Sequence, residues 1–202
     1  MLSRAFFARD AARLAPALLG RRLVRVTPEG QRLAGVIVET EAYVGIQDRA
    51  SHAFGGRRTT RNESMYARPG TAYVYFTYGM HHCVNVVCAE AGDPQAVLIR
   101  AIRPEEGVHA MRALRETRGV VRTERDLGSG PGKLCRAMAI GRELDGLDLC
   151  AGADLWIEAG PGVGRVSAGP RIGLGAVGKW KSRRLRWWER GCPFVSTARG
   201  RG

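Results

Sequence analysis

Residues 71–78 read TAYVYFTY, Gly79-Met80 follows, and residues 81–88 read HHCVNVVC. Aromatic and β-branched residues fill both runs, and the turn Gly79-Met80 separates them, which predicts a β-hairpin. Working outward, AVLIRAI (96–102) supplies a third strand and GVIVETEA (35–42) a fourth, with a shorter one over 22–27 before the turn Pro28-Glu29-Gly30. Apolar residues at Phe7, Ala11, Leu14 and Leu18 predict a helix over 5–19, interrupted by Pro16. A second helix is expected from Pro104 to about Arg118, and a third from Ser129, as N-cap, to Ile140. Residues 147–158 predict one or two strands, and the glycine-rich stretch 160–178 reads as loop between short strands. No βαβ alternation is present, so the class is α+β over one domain, 1–202.

The chain has 202 residues and a net charge of +13, from 32 basic and 19 acidic side chains. Only Lys133, Lys179 and Lys181 are lysines; every other basic residue is arginine, whose planar fork suits phosphate. This balance points to a polyanion as partner. No run approaches the ~18 apolar residues of a membrane span. Arg4, Arg9, Asp10 and Arg13 break any signal-peptide core, so a cytoplasmic protein is expected. Five cysteines without a CxxC pair, and four histidines without a metal-binding spacing, predict neither a disulfide framework nor a metal site. No cofactor is implied.

Chemistry concentrates in a few places. All five tyrosines lie between positions 43 and 78. Tyr73 reads as core, whereas Tyr43, Tyr75 and Tyr78 could stack on bases, with Tyr78 at an exposed hairpin tip. Glu39 and Glu41 share a face of one strand, with Val36 and Val38 on the other. An acid pair in a polyanion binder either performs acid–base chemistry or is an edge pair neutralised by arginines, and the pattern alone leaves both open. Gly128-Ser129-Gly130-Pro131-Gly132-Lys133 lacks the first glycine and the final Ser/Thr of a P-loop. It remains a glycine-rich entry into a helix, with Lys133 suited to one backbone phosphate. Arg57, Arg58 and Arg61 form one basic patch; Arg183, Arg184 and Arg186 form another, read as a solvated face beside an anchoring Trp187-Trp188.

Taken in order, GVIVETEAYVG (35–45), SHAFGGRRTTRN (51–62), PGTAYVYFTYGM (69–80), LIRAIRPEEG (98–107), GSGPGKLCRAM (128–138), RIGLG (171–175) and WWERGCPFVS (187–196) resemble the alkyladenine (3-methyladenine) DNA glycosylases over nearly the whole chain. The resemblance implies a compact single domain around a curved antiparallel sheet with surrounding helices. It implies a monomer that acts on double-stranded DNA containing damaged purines, in base excision repair, without a cofactor. It assigns Glu41 as the base that activates water, with Arg100 and the Ile172 carbonyl holding that water and Leu98 beside it. Tyr43, Tyr75 and His52 become the walls around a flipped base, with the His52 amide reading its edge. Asn85 becomes the residue that collides with guanine's amino group, and Tyr78 the wedge left in the DNA stack. Met80, His81, Arg57, Arg61 and Lys133 fall at the DNA-facing edge; His81 stands where eukaryotic members carry tyrosine. Rival readings are a lysine-based glycosylase that also cuts the strand, a non-catalytic DNA binder, and a small-molecule enzyme.

Overall fold

A computed structural model describes residues 1–117 and 119–196. Eight strands form one antiparallel sheet: β1 (Arg22–Val26), β2 (Arg32–Val44), β3 (Ala72–Thr77), β4 (His81–Cys88), β5 (Gln95–Glu106), β6 (Leu155–Glu158), β7 (Val166–Gly169) and β8 (Arg186–Glu189). The main order is β3-β4-β5-β2-β1-β6. The edge of β2 that β1 leaves free is taken by β8, which in turn carries β7. Among the described residues, five α-helices surround the curled sheet: α1 (Arg4–Phe7), α2 (Ala11–Leu18), α3 (Val108–Glu116), α4 (Arg125–Gly128) and α5 (Pro131–Ala137). The expected α+β architecture around a curved antiparallel sheet is thus present. No helix among the described residues is long and apolar enough to cross a membrane.

The main core lies under one face of the sheet. Leu14 and Leu18 of α2, Met111 of α3, Leu127 of α4 and Leu134 of α5 meet Val74, Val84, Val97 and Ile99 there, all fully or nearly fully buried. Alternation then commits the opposite residues of β3, β4 and β5 to the other face, and that is where the tyrosines go.

Four features differ from the sequence reading. The first helix divides at Ala8–Asp10, and the Gln95 side chain accepts the Ala11 amide at 2.9 Å where α2 begins. Pro104 does not open a helix; it sits inside β5 opposite Gly35, at a register shift. Proline is tolerated there because β4 pairs only with Gln95–Leu98, so beyond that point one edge of β5 has no partner strand. The helix starts after Gly107, whose φ of 71° turns the chain out of the strand, and its expected end at Arg118 lies outside the described residues. Ser129 is not an N-cap: Gly130 holds that position and no side chain caps α5. Segment 147–154 forms no strand of its own beyond a single bridge between Asp148 and Thr71.

Two irregularities shape the site. Between β2 and β5 the register steps from Thr40–Ile99 to Glu39–Ala101, leaving Arg100 unpaired, and then to Ile37–Ile102, leaving Val38 unpaired. Such bulges bend a strand and re-aim a side chain. The Val38 bulge also breaks simple alternation. Val36 and Val38 are buried as expected, but they pack under Cys192, Phe194 and Val195, the same segment whose Ser196 reaches Glu39. They do not simply occupy the face opposite the acids.

Candidate active site

Following one transverse register line across the sheet gives Tyr73 (β3), Asn85 (β4), Leu98 (β5), Glu41 (β2) and Arg186 (β8). A residue directly opposite another in an antiparallel pair points to the same face. These five positions, with Tyr75 and Tyr43 two residues along their strands, therefore line one side of the sheet. Over this face lies a cavity of about 500 Å³, walled by Tyr43, His52, Tyr73, Tyr75, Asn85 and Leu98.

Glu41 sits just behind the cavity floor and is 0 % exposed. Its Oε1 accepts from the Ile172 backbone N–H at 2.7 Å and lies 3.2 Å from Arg100 Nη1, while its Oε2 accepts from the Tyr43 hydroxyl at 3.1 Å. Tyr43, Leu98, Arg100 and Ile172 all line the cavity, so the carboxylate is enclosed by the floor residues. Burial raises its pKa above the ordinary carboxylate value, opposed by the Arg100 charge and the two hydrogen bonds. Burial opposes the charge of Arg100, but Glu41 and Glu39 outweigh it and raise the arginine's pKa.

Glu39 answers the acid-pair question differently from Glu41. Its Oε1 accepts from Arg100 Nε and Arg186 Nη1, each at 3.0 Å, and its Oε2 accepts from the Ser196 amide at 2.7 Å. Arginines and a backbone donor neutralise it fully, so it is a bracket for Arg100. Both acids share Arg100, but Glu39 is also held by Arg186 and the Ser196 amide, whereas Glu41 lies directly behind the cavity floor.

Segment 170–175 reaches Glu41 because Arg171 is anchored in the interior. Arg171 and Asp48 form a fully buried bidentate pair, with Nη2–Oδ1 at 2.8 Å, and Arg171 Nη1 also donates to the Ala42 carbonyl. The guanidinium lies 4.7 Å from the Tyr43 ring centre and supports that wall from behind.

The other walls are equally fixed. Tyr73 and Tyr75 lie 5.3 Å apart between ring centres, and His52 meets Tyr75 edge-on at 4.6 Å. The Asn85 Nδ2 donates to the Tyr73 carbonyl at 3.0 Å, which prevents the side chain from swinging away. The hairpin tip projects beyond the cavity. Tyr78 is 80 % exposed, with Phe76 and Met80 exposed beside it. Tyr78 and Gly79 both have positive φ, 51° and 65°, in a turn closed by the Met80 amide on the Thr77 carbonyl.

Residues 5–193 match the methylpurine-DNA glycosylase family. The chain belongs to that family. It is 46% identical over 199 residues to a human DNA-3-methyladenine glycosylase, covering 95% of this chain and 66% of the human protein. It is likewise 46% identical over 196 residues to a putative 3-methyladenine DNA glycosylase of Methanocella arvoryzae, covering 97% and 96% of the two chains. A putative 3-methyladenine DNA glycosylase of Bacillus cereus is 41% identical over 199 residues, covering 95% and 96%. The chain thus spans just under two thirds of the human relative and nearly all of the microbial ones.

Within this methylpurine-DNA glycosylase fold, the residues expected at a DNA-facing edge are placed unequally. Arg57 is exposed, and its side chain has no carboxylate partner among the described residues. Arg61 is exposed but donates to the Phe76 carbonyl at 3.0 Å, which ties the loop to the hairpin. Lys133 lies 3.1 Å from Asp126 Oδ1, so a phosphate would compete with that carboxylate. Two glycines of the run before it serve packing: a Cβ on Gly132 would come within 2.8 Å of the His81 ring, and one on Gly128 within 2.6 Å of the Ile102 carbonyl, whereas Gly130 meets nothing but holds a φ of 138°. His81 is therefore lodged against α5 at the foot of the tip.

Sequence reading missed Asp48, Arg171, Ser196 and the inward role of Arg186, and it left open which of Glu39 and Glu41 is the acid neutralised by arginines. It also missed Cys83, which stands opposite Tyr75 in the cavity lining. Arg186 was assigned to a solvated patch, yet it reaches Glu39. Nothing in local pattern separates these arginines from the many others. Their signal is that β8 and the 170–175 segment fold back onto β2, a long-range pairing.

Proposed function

We propose that this chain is a monofunctional DNA glycosylase of base excision repair. It flips an alkylated or deaminated purine out of duplex DNA and hydrolyses its N-glycosidic bond, leaving an abasic site. The observation that carries this reading is Glu41, a carboxylate enclosed directly behind an aromatic cavity in a protein of net charge +13. Two of a carboxylate's roughly four acceptor positions are taken by hydrogen bonds and Arg100 lies 3.2 Å from Oε1, which leaves acceptor capacity for a water.

In this mechanism Tyr78 enters the duplex as the purine leaves, replacing part of the lost stacking. The base lies between Tyr43 and Tyr75 with His52 as third wall. The His52 amide, which has no protein partner among the described residues, is free to donate to the base edge. Asn85, held rigidly by the Tyr73 carbonyl, meets the position where guanine carries its amino group. Bond cleavage builds positive charge on the sugar, as in O-glycoside hydrolysis. Ionised Glu41 stabilises that charge and takes the proton of the attacking water. Arg100 orients the carboxylate and the water, with Leu98 closing the apolar side. Ile172 contributes its N–H to Glu41; the assignment of its carbonyl to the water stands on the family resemblance. An N-alkylated purine already carries charge and leaves readily, while a neutral one such as hypoxanthine or ethenoadenine needs protonation or hydrogen bonding. Duplex phosphates are met by Arg57 and Arg61, with Met80 and His81 beside the wedge and Lys133 at the periphery.

None of Lys133, Lys179 and Lys181 lines the cavity, which weighs against a Schiff-base mechanism. The test is an abasic-site assay on duplexes each carrying one lesion. The expected result is an abasic product with an intact strand. Strand scission without added base would support a lysine mechanism, and tight binding without product would support a non-catalytic binder.

A further inference from the structure

The Tyr73 hydroxyl lies 2.8 Å from His52 Nδ1. Tyr73 is 1 % exposed, and its hydroxyl has no other hydrogen-bond partner among the described residues. If the imidazole donated here, the phenolic proton would be left buried and unpaired, which is costly. The phenol is therefore the donor and Nδ1 the acceptor. An imidazole whose Nδ1 accepts carries its one proton on Nε2 and is neutral.

Resting on the functional reading above, we propose that Tyr73 is a positioning residue that holds His52 neutral, with its proton on Nε2, so that this wall accepts a purine already carrying positive charge. A protonated His52 would place a cation against a cationic base in a desolvated cavity, where like charges repel strongly. A neutral base such as hypoxanthine lacks that penalty. Tyr73 therefore widens the lesion range toward charged alkylpurines without touching the reacting atoms.

The surroundings of His52 support this from every side. Tyr73 and Tyr75 face it from β3, Arg57 and Arg61 from its own loop, and Tyr43 and Arg49 from the other cavity walls. No carboxylate stands among these neighbours. Burial and the charges of Arg61 and Arg57 lower its pKa below the ordinary histidine value. The phenol, whose own pKa burial raises, remains a donor throughout the working range.

The test compares wild type with Tyr73→Phe. Removing a donor to Nδ1 destabilises the neutral ring, so the His52 titration moves to higher pH. Ring-proton NMR reads this directly and needs no activity. Single-turnover excision is then followed against pH on a 7-methylguanine duplex and on a hypoxanthine duplex. For the charged lesion, the acid limb moves to higher pH in Tyr73→Phe, and the rate falls about tenfold per pH unit below it. The hypoxanthine acid limb, set by Glu41, stays in place. Should Tyr73→Phe fold poorly, His52→Gln removes the titrating ring instead, and the charged-lesion profile then follows the hypoxanthine one. Both profiles moving together, or neither moving, overturns the proposal. An His52 titration unchanged in Tyr73→Phe overturns it too. If the titration shifts as stated but wild type excises neither lesion, the functional reading is what fails.

Discussion

Replacing Tyr78 with glycine and with alanine separates the wedge from its backbone cost. Tyr78 holds φ of 51° while 80 % exposed, so it gains little packing in return for a left-handed conformation. That conformation costs an L-residue roughly 1–2 kcal/mol. Glycine relieves it but loses about 0.4–1 kcal/mol through the greater entropy of the unfolded chain. Tyr78→Gly should thus raise unfolding stability by roughly 0–1.5 kcal/mol by these two terms. Tyr78→Ala keeps the backbone cost and should fall within about 0.5 kcal/mol of wild type, as exposed substitutions do. Both variants lose the ring proposed to fill the stack, worth roughly 1–3 kcal/mol, so the flipped population should fall about 5- to 150-fold. Urea unfolding reads the first quantity, and fluorescence of an ethenoadenine-containing duplex reads the second. Loss of more than about 1 kcal/mol of stability in Tyr78→Gly would refute the reasoning, because it would mean the ring packs against the protein. So would undiminished flipping in both variants.

Further outcomes follow from the same geometry. Asn85→Ser should raise guanine release from undamaged duplex relative to hypoxanthine release, since the rigid obstacle is removed; an unchanged ratio counts against the role. Arg57→Ala should reduce the slope of log K against log salt by about one, whereas Lys133→Ala, whose ammonium is held by Asp126, should reduce it by less than that. Equal reductions would show that the Asp126 pair gives way to phosphate. Glu39→Ala should cost roughly 3–5 kcal/mol in urea unfolding, because Arg100, Arg186 and the Ser196 amide lose their acceptor in a buried site. A cost under about 1 kcal/mol would indicate that solvent replaces the carboxylate.

Strands, hairpin and helices were legible because local pattern determines them. The alternation in 71–88 forces Tyr73 and Tyr75 to one face and Val74, Val84 and Val86 to the core. Tyr78 could be read as exposed from its place at the tip. Glu41 and Tyr43 were visible as out-of-place residue types on a strand. Arg100 was not, because its position depends on a bulge that alternation does not announce. Pro104 misled for a related reason: its position in β5 is permitted only by the short reach of β4, which is a tertiary fact. The Asp48–Arg171 pair joins residues 123 positions apart. No window of local sequence contains it. Likewise Lys133 looked free for phosphate because Asp126 lies beyond its own helical turn.

The central claim is that Glu41 performs the chemistry and contributes little to lesion binding. Its raised pKa also fixes a sign: with the folded-state value above the unfolded one, ionised Glu41 costs stability at neutral pH, and that cost disappears as pH falls through the folded value. Glu41→Gln keeps an acceptor oxygen for the Ile172 N–H but leaves Arg100 with Glu39 alone, so urea unfolding is measured beside activity to show that the variant is folded. The decisive measurement is single-turnover excision by Glu41→Gln on a hypoxanthine duplex, with duplex affinity measured on the same preparation. The account predicts near-wild-type affinity and almost complete loss of excision. Excision within about tenfold of wild type, equivalent to ~1.4 kcal/mol in barrier, would contradict it.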